Sequence, residues 1–188
     1  MKKSASIISK SEIQPLNLIS IFLTLFCFVL LLLPGFKHVA KSYYYNSSTG
    51  YISDKDFSYQ IFKCIFGGTG YSYGPDVKAF FPLVLGFLAL VAFFFICMIS
   101  TVLIDKKDYN SNGIQIVQLS LTASATFFLS PIFSGIAVSN YNGSIGSKST
   151  YGQNFNVRIT FWFVLMFITL LVLTVIRIVI LRKTIRDN

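Results

Sequence analysis

Four long apolar stretches, Leu16–Leu33, Ala79–Ile104, Ile114–Val138 and Ile159–Leu181, carry no Asp, Glu, Lys, Arg or His at their centres. A helix rises about 1.5 Å per residue, so roughly 20 apolar residues cross a hydrocarbon core about 30 Å thick. Each stretch is near or above that length. The expected fold is therefore an all-α membrane protein, a four-helix transmembrane bundle filling residues 1–188 as one membrane domain. A long first extracytoplasmic loop, residues 34–78, is its one elaborated connection.

Composition agrees with that reading. Hydrophobic residues make up 54% of the 188 and charged residues 12%, well below the roughly 25% of soluble domains. The formal net charge of +9 would suggest nucleic acid in a soluble protein. Here the basic residues flank apolar spans, where anionic headgroups attract them. No basic stripe with interleaved aromatics lies outside the spans, so no nucleic-acid partner is expected. Cys27 and Cys97 fall inside spans and Cys64 is alone in the first loop. No disulfide framework follows, and three free thiols packed as small apolar groups are expected. The first span follows a long tail and has no A-x-A site after it, so it reads as an uncleaved anchor rather than a removed leader.

An even number of spans puts both termini on one side. That side carries Lys2, Lys3, Lys10, Lys106, Lys107, Arg182, Lys183 and Arg186 in short segments. The other side spreads Lys37, Lys41, Lys55, Lys63, Lys78, Lys148 and Arg158 over about twice the length. Basic density beside the spans favours cytoplasmic termini, in a multi-pass protein of the plasma membrane.

Two elements are expected in the first loop. Tyr43, Tyr44, Tyr45 and Tyr51 flank Asn46-Ser-Ser-Thr-Gly50, which fits a small β-hairpin or, equally, an aromatic belt at headgroup level. Ser53 and Asp56 match a capping-box-like start, and Gly67-Gly68 a stop. Between them Phe57, Ile61, Phe62, Ile65 and Phe66 recur at helical spacing. A short amphipathic helix of this kind either caps the bundle or contacts a partner or lipid. The second outer loop, residues 139–154, is rich in Asn, Gly, Ser and Tyr. Asn46-Ser-Ser and Asn142-Gly-Ser are glycosylation triplets of the kind that arise by chance in such loops.

The third span is the polar one. It holds Gln115, Gln118, Ser120, Thr122, Ser124, Thr126, Ser130, Pro131, Ser134 and Gly135. Ser120/Ser124 and Ser130/Ser134 are small-xxx-small pairs that permit close helix packing. Pro131 frees the carbonyl of Phe127, which predicts a kink. The stripe Ser120, Ser124, Thr126, Ser130, Pro131 and Ser134 is thus a packing surface or the lining of a hydrated path. Gln115 and Gln118 are expected to reach the headgroups. Arg177, about a turn from the inner boundary, is expected to snorkel. Phe161-Trp162-Phe163 suits an interfacial anchor at the outer boundary.

No site chemistry emerges. His38 has no neighbouring ligands for a metal. Asp54/Asp56 fits a helix start and Asp105/Asp108 a cytoplasmic turn, neither a buried acid/base pair. No P-loop, GxSxG or HExxH is present. No enzyme activity, metal or cofactor is expected.

The layout resembles claudin-like tetraspans in topology: a long first outer loop, a short inner turn and a smaller second outer loop. The W-x-G-L-W motif and paired cysteines of claudins are absent, so claudin strand assembly and pores do not carry over. Phe62-Lys-Cys-Ile-Phe-Gly-Gly68, just before the second span, is similar to an element of small four-pass proteins of bacteria with AT-rich genomes. That resemblance implies no activity. The expected role is a non-enzymatic interaction, accessory or scaffold protein. Its partners would be the lipid bilayer and another membrane protein or itself, with Phe57, Ile61, Phe62, Ile65 and Phe66 as the contact. The alternative is an oligomeric pore or small-molecule transporter subunit lined by the third span.

Overall fold

The computed structural model describes residues 5–38, 44–45, 52–53, 58–68, 76–102, 112–146 and 157–186. Along the chain run α1 (Ala5–Leu30), β1 (Pro34–His38), β2 (Tyr44–Tyr45), β3 (Ile52–Ser53), β4 (Ser58–Gln60), α2 (Ile61–Phe66), β5 (Gly67–Gly68) and β6 (Val77–Lys78). They are followed by α3 (Phe81–Val102), α4 (Asn112–Phe128), α5 (Pro131–Gly146), β7 (Val157–Ile159) and α6 (Phe161–Arg186). Among the described residues four helical stretches are long and apolar enough to cross a membrane: Ile13–Leu30, Phe81–Val102, Asn112–Asn142 and Phe161–Ile185. The chain is a mostly helical, multi-pass membrane protein. It divides into two compact units.

The first unit comprises residues 1–29, 85–129 and 166–188. On α1, α3 and α6 a seam of its buried positions recurs at intervals of three and four. On α6 they are Met166, Leu170, Leu173, Arg177, Ile180 and Thr184; on α3 they are Leu90, Phe93, Cys97 and Ser100. On α1 they are Ile13, Asn17, Ser20, Thr24 and Cys27. A 3-4 alternation keeps one seam facing the neighbours, as in left-handed coiled coils. Outside the seams the helices expose Phe22, Phe26, Phe95, Ile116, Val172 and Val175, among others. A surface that apolar suits hydrocarbon, not water. Backbones also approach closely here. A Cβ on Gly86 would come within 2.8 Å of Leu129 Cγ and 3.2 Å of the Leu129 amide nitrogen.

The third span is interrupted. α4 ends at Phe128, residues 129–130 form a turn, and Pro131 opens α5. Proline suits a first helical position because the N–H it lacks would have no intrahelical acceptor there. The helix also continues to Gly146, eight residues past the expected end at Val138. Asn142 therefore sits in a helix rather than in an open loop. Its side chain donates through Nδ2 to the Val157 carbonyl at 3.2 Å and accepts from the Val157 N–H at 3.0 Å.

The second unit comprises residues 30–84 and 130–165. It holds a three-stranded antiparallel sheet in the order β4-β1-β7, which an all-α class does not contain. Phe36 lies opposite Tyr59 on one side and Ile159 on the other. Its ring stacks on Phe163 at 6.2 Å with the planes 17° apart. β2 pairs with β3, Tyr44 opposite Ser53 and Tyr45 opposite Ile52. The remaining tyrosines of the expected hairpin, Tyr43 and Tyr51, and its turn at 46–50 lie outside the described residues.

The expected amphipathic helix is shorter than its spacing suggested. Ser53 is a strand residue, Phe57 lies outside the described residues, and Ser58–Gln60 pairs with β1. Among its described residues only Ile61–Phe66 is helical, and Gln60 caps it without a side-chain hydrogen bond. The backbone is pinned instead by the chain just past α1: Ile61 N–H donates to Leu33 O and Phe62 N–H to Leu31 O, both at 2.9 Å. Gly35 permits this approach, because a Cβ there would come within 2.8 Å of Ile61 Cγ1 and 2.9 Å of Ile61 Cα. Gly67 ends the helix at φ 78°, in the left-handed region that glycine enters without penalty.

Candidate functional site

The most unusual chemistry lies inside the first unit, where Arg177 is fully buried. The sequence reading placed its guanidinium among the headgroups; that expectation is corrected. Its position explains why. Arg177 follows Leu173 by four residues and precedes Ile180 by three, so it falls on the buried seam of α6. A snorkelling arginine would sit on the lipid-facing side, as Ile178 and Val179 do.

Three other helices converge on it. Arg177 Nη1 donates to Asn17 Oδ1 on α1 at 2.8 Å and to Gln118 Oε1 on α4 at 2.7 Å. Nη2 donates to Cys97 Sγ on α3 at 3.1 Å. The Phe93 ring centroid lies 5.0 Å from Cζ, within cation–π range. The acceptors are themselves held. Gln118 Nε2 donates to Ser100 Oγ at 2.9 Å, and Ser100 Oγ donates to the Ile96 carbonyl at 2.8 Å. The Cys97 thiol points at the Asn17 carbonyl at 3.8 Å. Gln118 therefore does not reach the headgroups, and neither does Gln115, which is buried one turn earlier with both amide atoms unsatisfied.

Magnitudes indicate what this cluster does. An arginine at the centre of a membrane helix costs about 2.5–3.5 kcal/mol on insertion scales. Interhelical hydrogen bonds in membranes return about 0.6–1.7 kcal/mol each. Three such bonds and a cation–π contact roughly offset the cost. Arg177 Nε and Asn17 Nδ2 remain buried without a partner, so the cluster adds no net stability, while its geometric demand is large: α6 must be set so that one guanidinium meets all three acceptors. A single polar residue on a seam acts this way when it fixes register.

The expected stripe of the third span divides. Ser120 is exposed and Ser124 half-buried, so this pair does not make a buried packing face. Thr126 is buried; its hydroxyl donates to Thr122 O at 2.8 Å and lies 2.9 Å from Thr174 Oγ1. Ser134 is buried and bonds back to Ser130 O. Ser130 is buried with no partner for its hydroxyl, and Pro131 begins α5 half-buried. These hydroxyls mostly satisfy their own helix, as Ser and Thr do in apolar surroundings.

The expected contact residues of the first loop also divide. Ile61 and Ile65 are fully buried with Cys64 between them. Phe62 is 46% exposed and Phe66 half-buried, their ring centroids 4.8 Å apart. Beneath α2, the Tyr141 hydroxyl donates to the Tyr59 hydroxyl at 2.8 Å, and the two rings meet edge to face at 5.8 Å. Asn17, Cys97, Gln118 and Arg177 are the cluster that the sequence reading did not assemble. The 3-4 spacing of Leu173, Arg177 and Ile180 was the available signal.

Comparison of the chain with protein-family models, curated proteins and solved structures finds no match.

Proposed function

We propose that this chain is a non-enzymatic interaction protein of the plasma membrane, an accessory or scaffold subunit with both termini in the cytoplasm. Its second unit would face outward and engage another membrane protein or a second copy. The observation that carries this reading is the paired Phe62 and Phe66 rings on a helix whose other face is locked in a core. Rigid aromatic anchors bind at low entropic cost, and they dominate interface energetics where they occur. The dense basic residues beside the termini support the orientation.

The test is purification in mild detergent from native membranes through a C-terminal tag, with wild type and Phe62→Ala/Phe66→Ala side by side. A stoichiometric protein, or a second copy of the chain, retained by wild type and lost from the variant is the expected result. An identical set of co-eluting proteins and an identical particle mass for both would overturn it.

The pore alternative draws on a different observation, the inward-turned Gln115, Gln118, Thr122 and Thr126 of α4. These side chains are enclosed within one chain, so a path along them would lie inside the protomer rather than at an oligomer axis. Thiol labelling of cysteines placed at these positions tests it. Reaction from the aqueous side would favour a path, and uniform protection a packed interior.

A further inference from the structure

A cavity of about 260 Å³ lies within the second unit, under β6 and beside α5. Its buried walls are mostly apolar: Phe36, Cys64, Val77 and Ala137. Two polar side chains on its lining, Lys78 and Asn140, are exposed and form its rim. Among the described residues Lys78 has no side-chain hydrogen bond or ion pair.

The place of this cavity along the chain matters more than its size. Val77–Phe80 directly precede the span Phe81–Val102, and Ala137–Tyr141 fall in the last two turns of the span Asn112–Asn142. Phe36 lies six residues past the end of the span Ile13–Leu30. The walls therefore come from three span ends at one membrane boundary, the level at which lipid phosphates and the first methylenes of acyl chains are found. The volume is below the roughly 300–1,000 Å³ of pockets for drug-sized ligands. A dry apolar cavity of about 150 Å³ already accepts a benzene-sized guest, so a slender hydrocarbon segment fits and a bulky ring system does not.

We propose that this cavity holds part of one acyl chain of a bilayer phospholipid, with the lipid phosphate paired to Lys78 at the rim. The acyl chain supplies the apolar occupant, and the phosphate supplies the anion for an ammonium that has no hydrogen bond or ion pair among the described residues. Asn140 adds a donor to the same rim.

The test is native mass spectrometry of the full chain released from nanodiscs of phosphatidylglycerol and phosphatidylethanolamine. Three proteins are compared: wild type, Ala137→Trp, which fills the cavity, and Lys78→Glu, which reverses the rim charge. Wild type is expected to retain one phospholipid per chain. Ala137→Trp is expected to lose it, and Lys78→Glu to retain at least fivefold less. Equal retention by all three, or retention by none, would overturn the proposal. Should Ala137→Trp fail to fold, a phospholipid with a photoactivatable diazirine on its acyl chain decides the matter with wild type. Crosslinks on peptides carrying Phe36, Val77 or Ala137 support the site, and crosslinks confined to the exposed faces of α1, α3 and α6 overturn it.

Discussion

Arg177 Nη1 lies 2.8 Å from Asn17 Oδ1, and both side chains are fully buried. A cation enclosed by helices is thus held by a neutral amide 160 residues away in sequence, with no carboxylate against it among the described residues. Neutral acceptors spread the charge without a second desolvated ion, and they make the interaction depend on placement rather than on net attraction.

Conservative and apolar replacements of Arg177 should therefore rank in an unusual order. Lysine has one point-like ammonium and cannot serve Asn17, Gln118 and Cys97 together as a planar guanidinium does. Arg177→Lys is expected to destabilise the fold by about 1.5–3 kcal/mol, the range for losing hydrogen bonds to a charged group. The triple variant Arg177→Met, Asn17→Leu, Gln118→Leu removes the cation and both amides, leaving Cys97 as a small apolar group, and is expected to be neutral or stabilising, by up to about 4 kcal/mol. Thermal unfolding in detergent measures both. A triple variant less stable than Arg177→Lys would mean that the cluster stabilises the fold rather than specifying it.

Gly35 should tolerate no side chain. An added Cβ meets the Ile61 backbone, which is held in place by Leu33 O. Gly35→Ala is expected to cost about 1–3 kcal/mol, as overpacking does. Gly68→Ala, where the nearest atom is 3.5 Å away on the flexible Lys63 side chain, serves as the control. It should fall within about 0.5 kcal/mol of wild type. Equal costs at the two sites would contradict the close approach of β1 and α2.

Cys64 should be inert until the protein unfolds. It is fully buried, and desolvation pushes its thiol well above the ordinary cysteine range. The sign is simple: a raised pKa keeps the thiol protonated at neutral pH, and the thiolate is the reactive form. With Cys27 and Cys97 replaced by Ala, maleimide labelling of Cys64 in detergent at pH 7 is expected to be negligible. Raising the pH to 9 should leave it slow, and denaturant should release it. Fast labelling of the folded protein, rising tenfold per pH unit, would place Cys64 at the surface.

The four spans were legible because a run of about 20 apolar residues has few other uses. The outer architecture was not. β1 and β7 are five and three residues long and more than a hundred residues apart, and pairing over such a distance leaves no local pattern. The spacing of Phe57, Ile61, Phe62, Ile65 and Phe66 suggested one helical face. Ile61 and Ile65 in fact enter the core, while Phe62 stays exposed. The buried arginine was readable in principle. Leu173, Arg177, Ile180 and Thr184 keep a 3-4 rhythm, which places Arg177 on the seam. Nearness to a span end suggested the surface, and the phase of the seam outweighs it.

A double-mutant cycle between Arg177→Met and Asn17→Leu, read by unfolding in detergent, tests most directly whether the cation is enclosed. Enclosure predicts a coupling of about 1 kcal/mol or more, the two single costs failing to add because one interaction joins both residues. Single costs that add to within about 0.5 kcal/mol would mean that the two side chains do not meet. That result would contradict the enclosure of Arg177 by α1.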